Sequence, residues 1–225
     1  MTRVFCWSAL ALTLCGVGWG GDTAQLEPLT LFTSERDAGE QGWTLTGEWH
    51  FLKEPLKPEG PFRYALTTIG FSNAAAAARV DLGVALARLP ASQRERVKGW
   101  RLGLELELPG TTTLELKTLT AADGSRLVVR LLETKLELGV ERKGQPFEPT
   151  LTRTLEQVPS SIWLAWDGKT CALRVDRPDA KPLCELQPGK GRPAPAQTGV
   201  EFALSGIGQT EHAILRNPTL LPVLR

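Results

Sequence analysis

Apolar and polar residues alternate along most of this chain. In GWTLTGEWHF, residues 42–51, Trp43, Leu45, Trp49 and Phe51 share one face, while Thr44, Thr46, Glu48 and His50 take the other. In WRLGLELEL, residues 100–108, Trp100, Leu102, Leu104, Leu106 and Leu108 alternate with Arg101, Gly103, Glu105 and Glu107. TTTLELK (111–117) and KLELGVER (135–142) keep the same period, with Leu114 and Leu116, then Leu136, Leu138 and Val140, on the apolar side. A period of two repeated over this many segments predicts strands of sheets buried on one face only. Pro109-Gly110, Asp123-Gly124, Lys143-Gly144 and Asp167-Gly168 mark turns between them. Regular short strands with such punctuation predict an all-β fold, a two-sheet antiparallel sandwich.

Helical signals are few, and one or two short helices at most are expected. Pro90 to Lys98 (PASQRERVK) carries a proline at the first turn and charges throughout. The alanine run Ala74 to Ala78 favours helix by propensity, but Gly70 and the segment Arg79-Val80-Asp81-Leu82-Gly83 flank it, and strand and helix stay open there. Gly189 to Gln197, rich in proline, reads as a surface loop.

The N-terminus departs from this pattern. Arg3 precedes an apolar run from Val4 to Leu14, and the small residues Gly18 and Gly20 follow. That arrangement predicts a signal peptide over residues 1–20 and a single exported domain over 21–225. The run falls short of the about 20 apolar residues of a membrane span, and no second apolar segment follows, so no transmembrane segment is expected in the mature chain. Lipid anchoring at Cys15 is disfavoured, because Leu14 stands where a lipobox has a small residue. Removal of the leader takes Arg3 and leaves 25 basic against 25 acidic residues. A neutral chain without a basic stripe makes nucleic acid an unsuitable partner. Localisation is therefore expected to be secreted, periplasmic or at the cell envelope.

Cys171 and Cys184 are the two cysteines beyond the leader. In SIWLAW the residues Ile162, Leu164 and Trp166 share a face, and after the Asp167-Gly168-Lys169 turn Cys171, Leu173 and Val175 share one. Cys184 has the parity of Pro182 and Leu186. If the two cysteines face one another across paired strands, an oxidising compartment favours a core-facing disulfide worth about 3 kcal/mol. Two buried free thiols are the alternative. Zinc would need four ligands, and His50 and His212 lie far from both cysteines in sequence, so no metal site is read from them.

The same stretch carries a resemblance. WLAWDGKTCALRVD resembles the strand–turn–strand signature of concanavalin A-like jelly rolls, particularly laminin G-like domains, through Trp166, Asp167, Gly168, Leu173, Val175 and Asp176. Arg177 stands where that signature has glycine. Residues 31–51 resemble the opening strand of exported sandwiches in this superfamily, and residues 199–222 resemble their closing strands, the last of which commonly pairs with the first. The resemblance implies a jelly-roll topology. It implies little about activity, because many functions share the fold.

Candidate chemistry is sparse. Laminarinase-type hydrolases of the superfamily carry acidic residues on one face of one strand. Glu105 and Glu107 are the nearest counterpart here, but Pro109-Gly110 occupies the place of the third acid. Charged residues of mixed sign on neighbouring strands more often form cross-strand pairs. There is no Gly-x-Ser-x-Gly elbow. Calcium remains possible as a cofactor, with Asp123, Asp167, Asp176 and Asp179 as turn carboxylates that could supply oxygen. Parity places Trp43, Trp49, Trp100 and Trp166 in the core. Trp163 falls on the opposite, polar face, and it and Tyr64 are the candidate sugar platforms. The expected function is an exported, non-catalytic recognition module for a glycan or cell-envelope polymer. A structural or protein-interaction domain of the envelope is the alternative, and a glycoside hydrolase ranks last.

Overall fold

The alternating segments form antiparallel strands, and their apolar faces meet between two sheets. A computed structural model describes residues 26–32, 38–55, 62–69, 75–118, 126–186, 199–208 and 210–224. One sheet has eight strands. Its spatial order is β13 (Cys184–Leu186), β12 (Cys171–Val175), β11 (Ser161–Trp166), β6 (Val97–Glu107), β15 (His212–Leu224), β4 (Phe62–Ile69) and β3 (His50–Pro55), with β1 (Leu29–Thr30) paired to β15. The other has seven: β10 (Glu148–Thr154), β9 (Lys135–Glu141), β8 (Arg126–Leu132), β7 (Thr113–Thr118), β14 (Gly199–Ser205), β5 (Ala76–Asp81) and β2 (Trp43–Thr46). Two short helices, α1 (Leu82–Ala87) and α2 (Ala91–Arg94), join β5 to β6. The all-β two-sheet sandwich is the architecture the alternation predicts. The closing strand meets the first, Leu29 opposite Leu220 and Thr30 opposite Thr219.

The core follows strand parity. Trp100 on β6 and Trp166 on β11 lie directly opposite in register and are fully buried. Leu102, Leu104, Ile162, Leu164 and Leu173 continue that layer, and Leu114, Leu116, Leu136, Leu138 and Phe202 face it from the seven-stranded sheet. Trp43 is buried too, its indole nitrogen donating to the Leu31 carbonyl at 2.7 Å.

Parity fails where the chain changes sheets. The segment 42–51 is not one strand: β2 ends at Thr46, Gly47 adopts φ +92°, and β3 starts at His50 in the opposite sheet. Trp49 therefore sits at the crossing, partly buried, its indole nitrogen shared between the carbonyls of Thr46 and Ala77 at 3.1 Å each. Of the alanine run, Ala76 to Ala78 are strand, because β14 and β2 pair with β5 on both sides and outweigh helix propensity. The helix instead follows it, where Asp81 caps α1 by accepting a hydrogen bond from the Gly83 amide at 2.7 Å. The helix expected over 90–98 is confined to Ala91–Arg94, since β6 begins at Val97. The loop read at 189–197 lies outside the described residues.

The expected disulfide is absent. Cys171 and Cys184 are both buried and core-facing, but both are free. Register explains it: Cys184 is opposite Leu173 and Cys171 opposite Leu186, which leaves the two thiols diagonal rather than paired. Burial pushes the Cys171 thiol far above its ordinary value and the Cys184 thiol up to about 11. The folded state thus holds the neutral thiols. Their contribution to stability is fully present below the ordinary thiol pKa of 9.0 and is lost as pH rises through the folded value. Two results are expected. A maleimide reagent labels Cys171 and Cys184, located by peptide mass mapping, only after denaturation. Unfolding free energy is insensitive to reductant and falls as pH is raised above 9, and Cys184→Ala removes part of that fall.

Candidate functional site

The candidate site is on the outer face of the eight-stranded sheet, around β12, β11, β6 and β15. Trp100, Trp166, Leu102 and Leu164 are drawn into the core, so their neighbours along each strand must point away from it. Ala165 is opposite Arg101 and Trp163 opposite Gly103 on one side, and Trp163 is opposite Arg174 on the other.

Gly103 sets the pose of Trp163. A Cβ at residue 103 would lie 2.4, 2.4 and 2.6 Å from three successive carbons of the six-membered ring of Trp163. Near-equal distances to three adjacent ring atoms mean that the ring presents its face, not its edge, to the strand. The indole lies flat on β6, half-buried, and its other face is directed away from the sheet. A glycine within a strand often marks such a close approach. Sequence reading missed this role, although a lone glycine in the charged series Arg101, Glu105, Glu107 was the signal.

Glu105 and Glu107 do share this outer face, one strand over from Trp163. Neither is a solitary carboxylate. Arg216 on β15 donates from Nε to both carboxylate oxygens of Glu54 at 2.9 Å and from Nη1 to Glu107 Oε2 at 2.6 Å. Asn217 Nδ2 donates to Glu105 Oε1 at 2.7 Å. Asn217 reaches it from an irregularity in β15, where its φ is +47° and the register with β6 shifts. Burial works against the Arg216 charge, but the hydrogen bonds and charges of Glu107 and Glu54 outweigh it and raise its pKa. The acids form a clamp around a cation rather than a pair flanking an open gap, the geometry that glycoside hydrolysis requires. Arg216 and Asn217 were invisible to strand parity, because only tertiary pairing brings β15 beside β6.

The other predicted residues are dispersed. Tyr64 is paired with Lys53 on the β3–β4 ladder, and its side chain lies outside the described residues. His50 and His212 are exposed. Asp167 Oδ1 accepts from the amides of Lys169 and Thr170 at 2.8 and 2.7 Å, closing the β11–β12 turn around Gly168. Asp176, with φ +64°, accepts from the amide and hydroxyl of Ser160. Both carboxylates serve turns, as acidic turn residues commonly do. Asp179 is exposed and Asp123 falls outside the described residues. Among the described residues, no three His, Cys, Asp or Glu side chains gather as a metal centre.

The seven-stranded sheet presents a different outer face. Glu115 joins Arg130 at 2.7 Å and Lys117 at 3.0 Å, Glu137 joins Lys135 at 2.6 Å, and Arg126 joins Glu141 at 2.7 Å. Burial raises the Glu115 pKa, but Lys117 and Arg130 outweigh it and hold it below its ordinary value. Arg130 also lies 4.6 Å from the Phe147 ring centre. This face is a network of ion pairs both within strands and between them.

No family model matches the chain, and no curated protein sequence does. Solved structures do. The carbohydrate recognition domain of Emp46p in its potassium-bound form is similar at a TM-score of 0.53 and 8% identity, covering 88% of this chain and 95% of that one. A GH16 protein of the mixed-linkage glucan locus of Bacteroides ovatus, in complex with an oligosaccharide product, gives 0.51 at 10% identity over 86% and 97%. A protein of unknown function from Shewanella oneidensis MR-1 gives 0.51 at 11% identity over 88% and 85%. The chain has the concanavalin A-like jelly-roll fold.

Two outcomes test the geometry. In urea denaturation, Gly103→Ala is expected to destabilise the protein by about 1–3 kcal/mol, because the added methyl must lift the indole. In a Trp163→Ala background that penalty should largely vanish, a coupling that a double-mutant cycle measures directly. Arg216→Met should lose about 1–2 kcal/mol of stability, as it leaves Glu54 half-buried beside Glu107 with no shared cation.

Proposed function

We propose that this protein is an exported recognition module that binds a glycan or cell-envelope polymer on the outer face of its eight-stranded sheet, without cleaving it. The observation that carries the reading is the Trp163 indole laid flat on Gly103. A ring held parallel to the sheet offers its free face to the C–H side of a pyranose, and it is held in place before the ligand arrives, so little ordering entropy opposes binding. The fold shared with a carbohydrate recognition domain and with a GH16 protein supports a carbohydrate ligand. The clamp of Glu54, Arg216 and Glu107, with Asn217 on Glu105, supports recognition over hydrolysis. Export rests on the leader-like residues 1–20.

An apolar interaction surface has less behind it. Val84, Leu132 and Val158 are the large apolar side chains exposed among the described residues, and they belong to α1, β8 and the loop before β11. They are scattered single residues, which are ordinary on protein surfaces.

The protein should be retained on at least one polymer of a panel of soluble and insoluble polysaccharides, run with and without calcium. Trp163→Ala should weaken that retention about tenfold or more, equivalent to about 1.4 kcal/mol, with no reducing sugar released by either form. Retention unaffected by Trp163→Ala would dismiss the platform, and released sugar would return Glu105 and Glu107 to a catalytic role. Protein recovered from the periplasm or medium of a bacterial host should begin near Gly21 on N-terminal sequencing.

A further inference from the structure

Two residues along β11 from Trp163, at Ala165, the same face drops into a pocket of about 180 Å³, whose wall includes the carboxylates Asp167 and Glu185 and does not include Trp163 itself. Ala165 and Ala172, opposite one another on β11 and β12, line it and leave room that longer side chains would fill. Arg101 and Arg174 line it as well. Arg101 is opposite Ala165, and Arg174 is two residues along β12 from Ala172 and directly opposite Trp163. In that register the Cβ atoms of platform and arginine are about 5 Å apart.

Arg174 is an unusual surface cation, because it is only 8% exposed. Its Nε donates to the Ala180 carbonyl at 2.8 Å, which fixes one edge of the guanidinium. Its Nη1 is buried without a hydrogen-bond partner. A buried charged donor left unsatisfied is costly, and proteins rarely keep one without a reason. Burial, and then the charge of Arg101, both disfavour the cationic form, with Glu185 on the pocket wall working the other way. Neither arginine forms a salt bridge with an acid among the described residues. Arg174 is anchored at Nε yet unsatisfied at Nη1, with the charge of Arg101 beside it, and an incoming anion would relieve both.

The geometry points to a carboxylate subsite: Arg101 and Arg174 receive the carboxylate of an acidic sugar, a uronate, whose ring stacks on Trp163. A guanidinium fork matches the two oxygens of a planar carboxylate. In a uronate the carboxylate is attached directly to the ring, which suits an anion pocket immediately beside an aromatic platform. The inference rests on the saccharide reading above and narrows it to a ligand class.

The test compares the full chain on polygalacturonate and alginate with the methyl-esterified form of each, in which the carboxylates are neutral. At least one acidic polymer should be bound tenfold or more tightly than its ester. Arg101→Gln and Arg174→Gln should each erase most of that preference while leaving ester binding intact. Arg101, which is more exposed, carries the test should Arg174→Gln fail to fold in a thermal melt. Equal binding of acid and ester overturns the subsite, and it leaves the platform standing if Trp163→Ala still removes both. An acid preference that survives both arginine substitutions also overturns it, as a diffuse charge effect. An acid preference lost with the arginines but indifferent to Trp163→Ala supports the anion pocket and removes the platform. No binding to any of the four polymers overturns the uronate assignment.

Discussion

The whole outer face of the eight-stranded sheet depends on the burial of Trp100 and Trp166 between the sheets. They occupy opposed positions on β6 and β11, and both are almost completely withdrawn from water. Burying two such side chains supplies a large apolar driving force. It also fixes parity on both strands, since a slip by one residue would turn each tryptophan to solvent. Once those two are inside, Arg101, Gly103, Trp163 and Ala165 have to be outside. The neighbouring strand β12 is locked in the same way by Cys171 and Leu173, which brings Arg174 to the outer face opposite Trp163.

The two outer faces handle their polar groups differently. On the seven-stranded sheet the charges are satisfied by one another, Glu115 with Arg130 and Lys117, Glu137 with Lys135. Half-exposed pairs of this kind add modestly to stability and keep the surface soluble. On the eight-stranded sheet the arrangement changes from strand to strand. Around β15 Glu54 and Glu107 share Arg216 and Glu105 accepts from Asn217, whereas around β11 and β12 the Trp163 indole nitrogen and the Arg174 Nη1 are buried without a hydrogen-bond partner. Unsatisfied groups in an otherwise well-paired structure are where a ligand has something to gain.

The cysteines mark the limit of parity as evidence. Both were legible as core-facing, and both are. Whether they bond depends on the offset between β12 and β13, and a diagonal placement leaves them as small buried hydrophobes. The segment 42–51 makes the same point at larger scale. Its alternation is continuous in sequence, yet the φ +92° bend at Gly47 sends its two halves to different sheets.

Sequence by itself determined the class, the turns at Pro109-Gly110, Lys143-Gly144 and Asp167-Gly168, the burial of Trp43, Trp100 and Trp166 and the outward side of Trp163, while it misplaced Trp49. Those follow from local alternation, and alternation is written residue by residue. Tertiary structure alone decided what the outward residues meet. Gly103 lies beneath Trp163, Asn217 reaches Glu105, and Arg174 shares a pocket with Arg101, because strands distant in the chain were set side by side at one particular register. Parity says which way a side chain points. Only the pairing of strands says what is standing next to it.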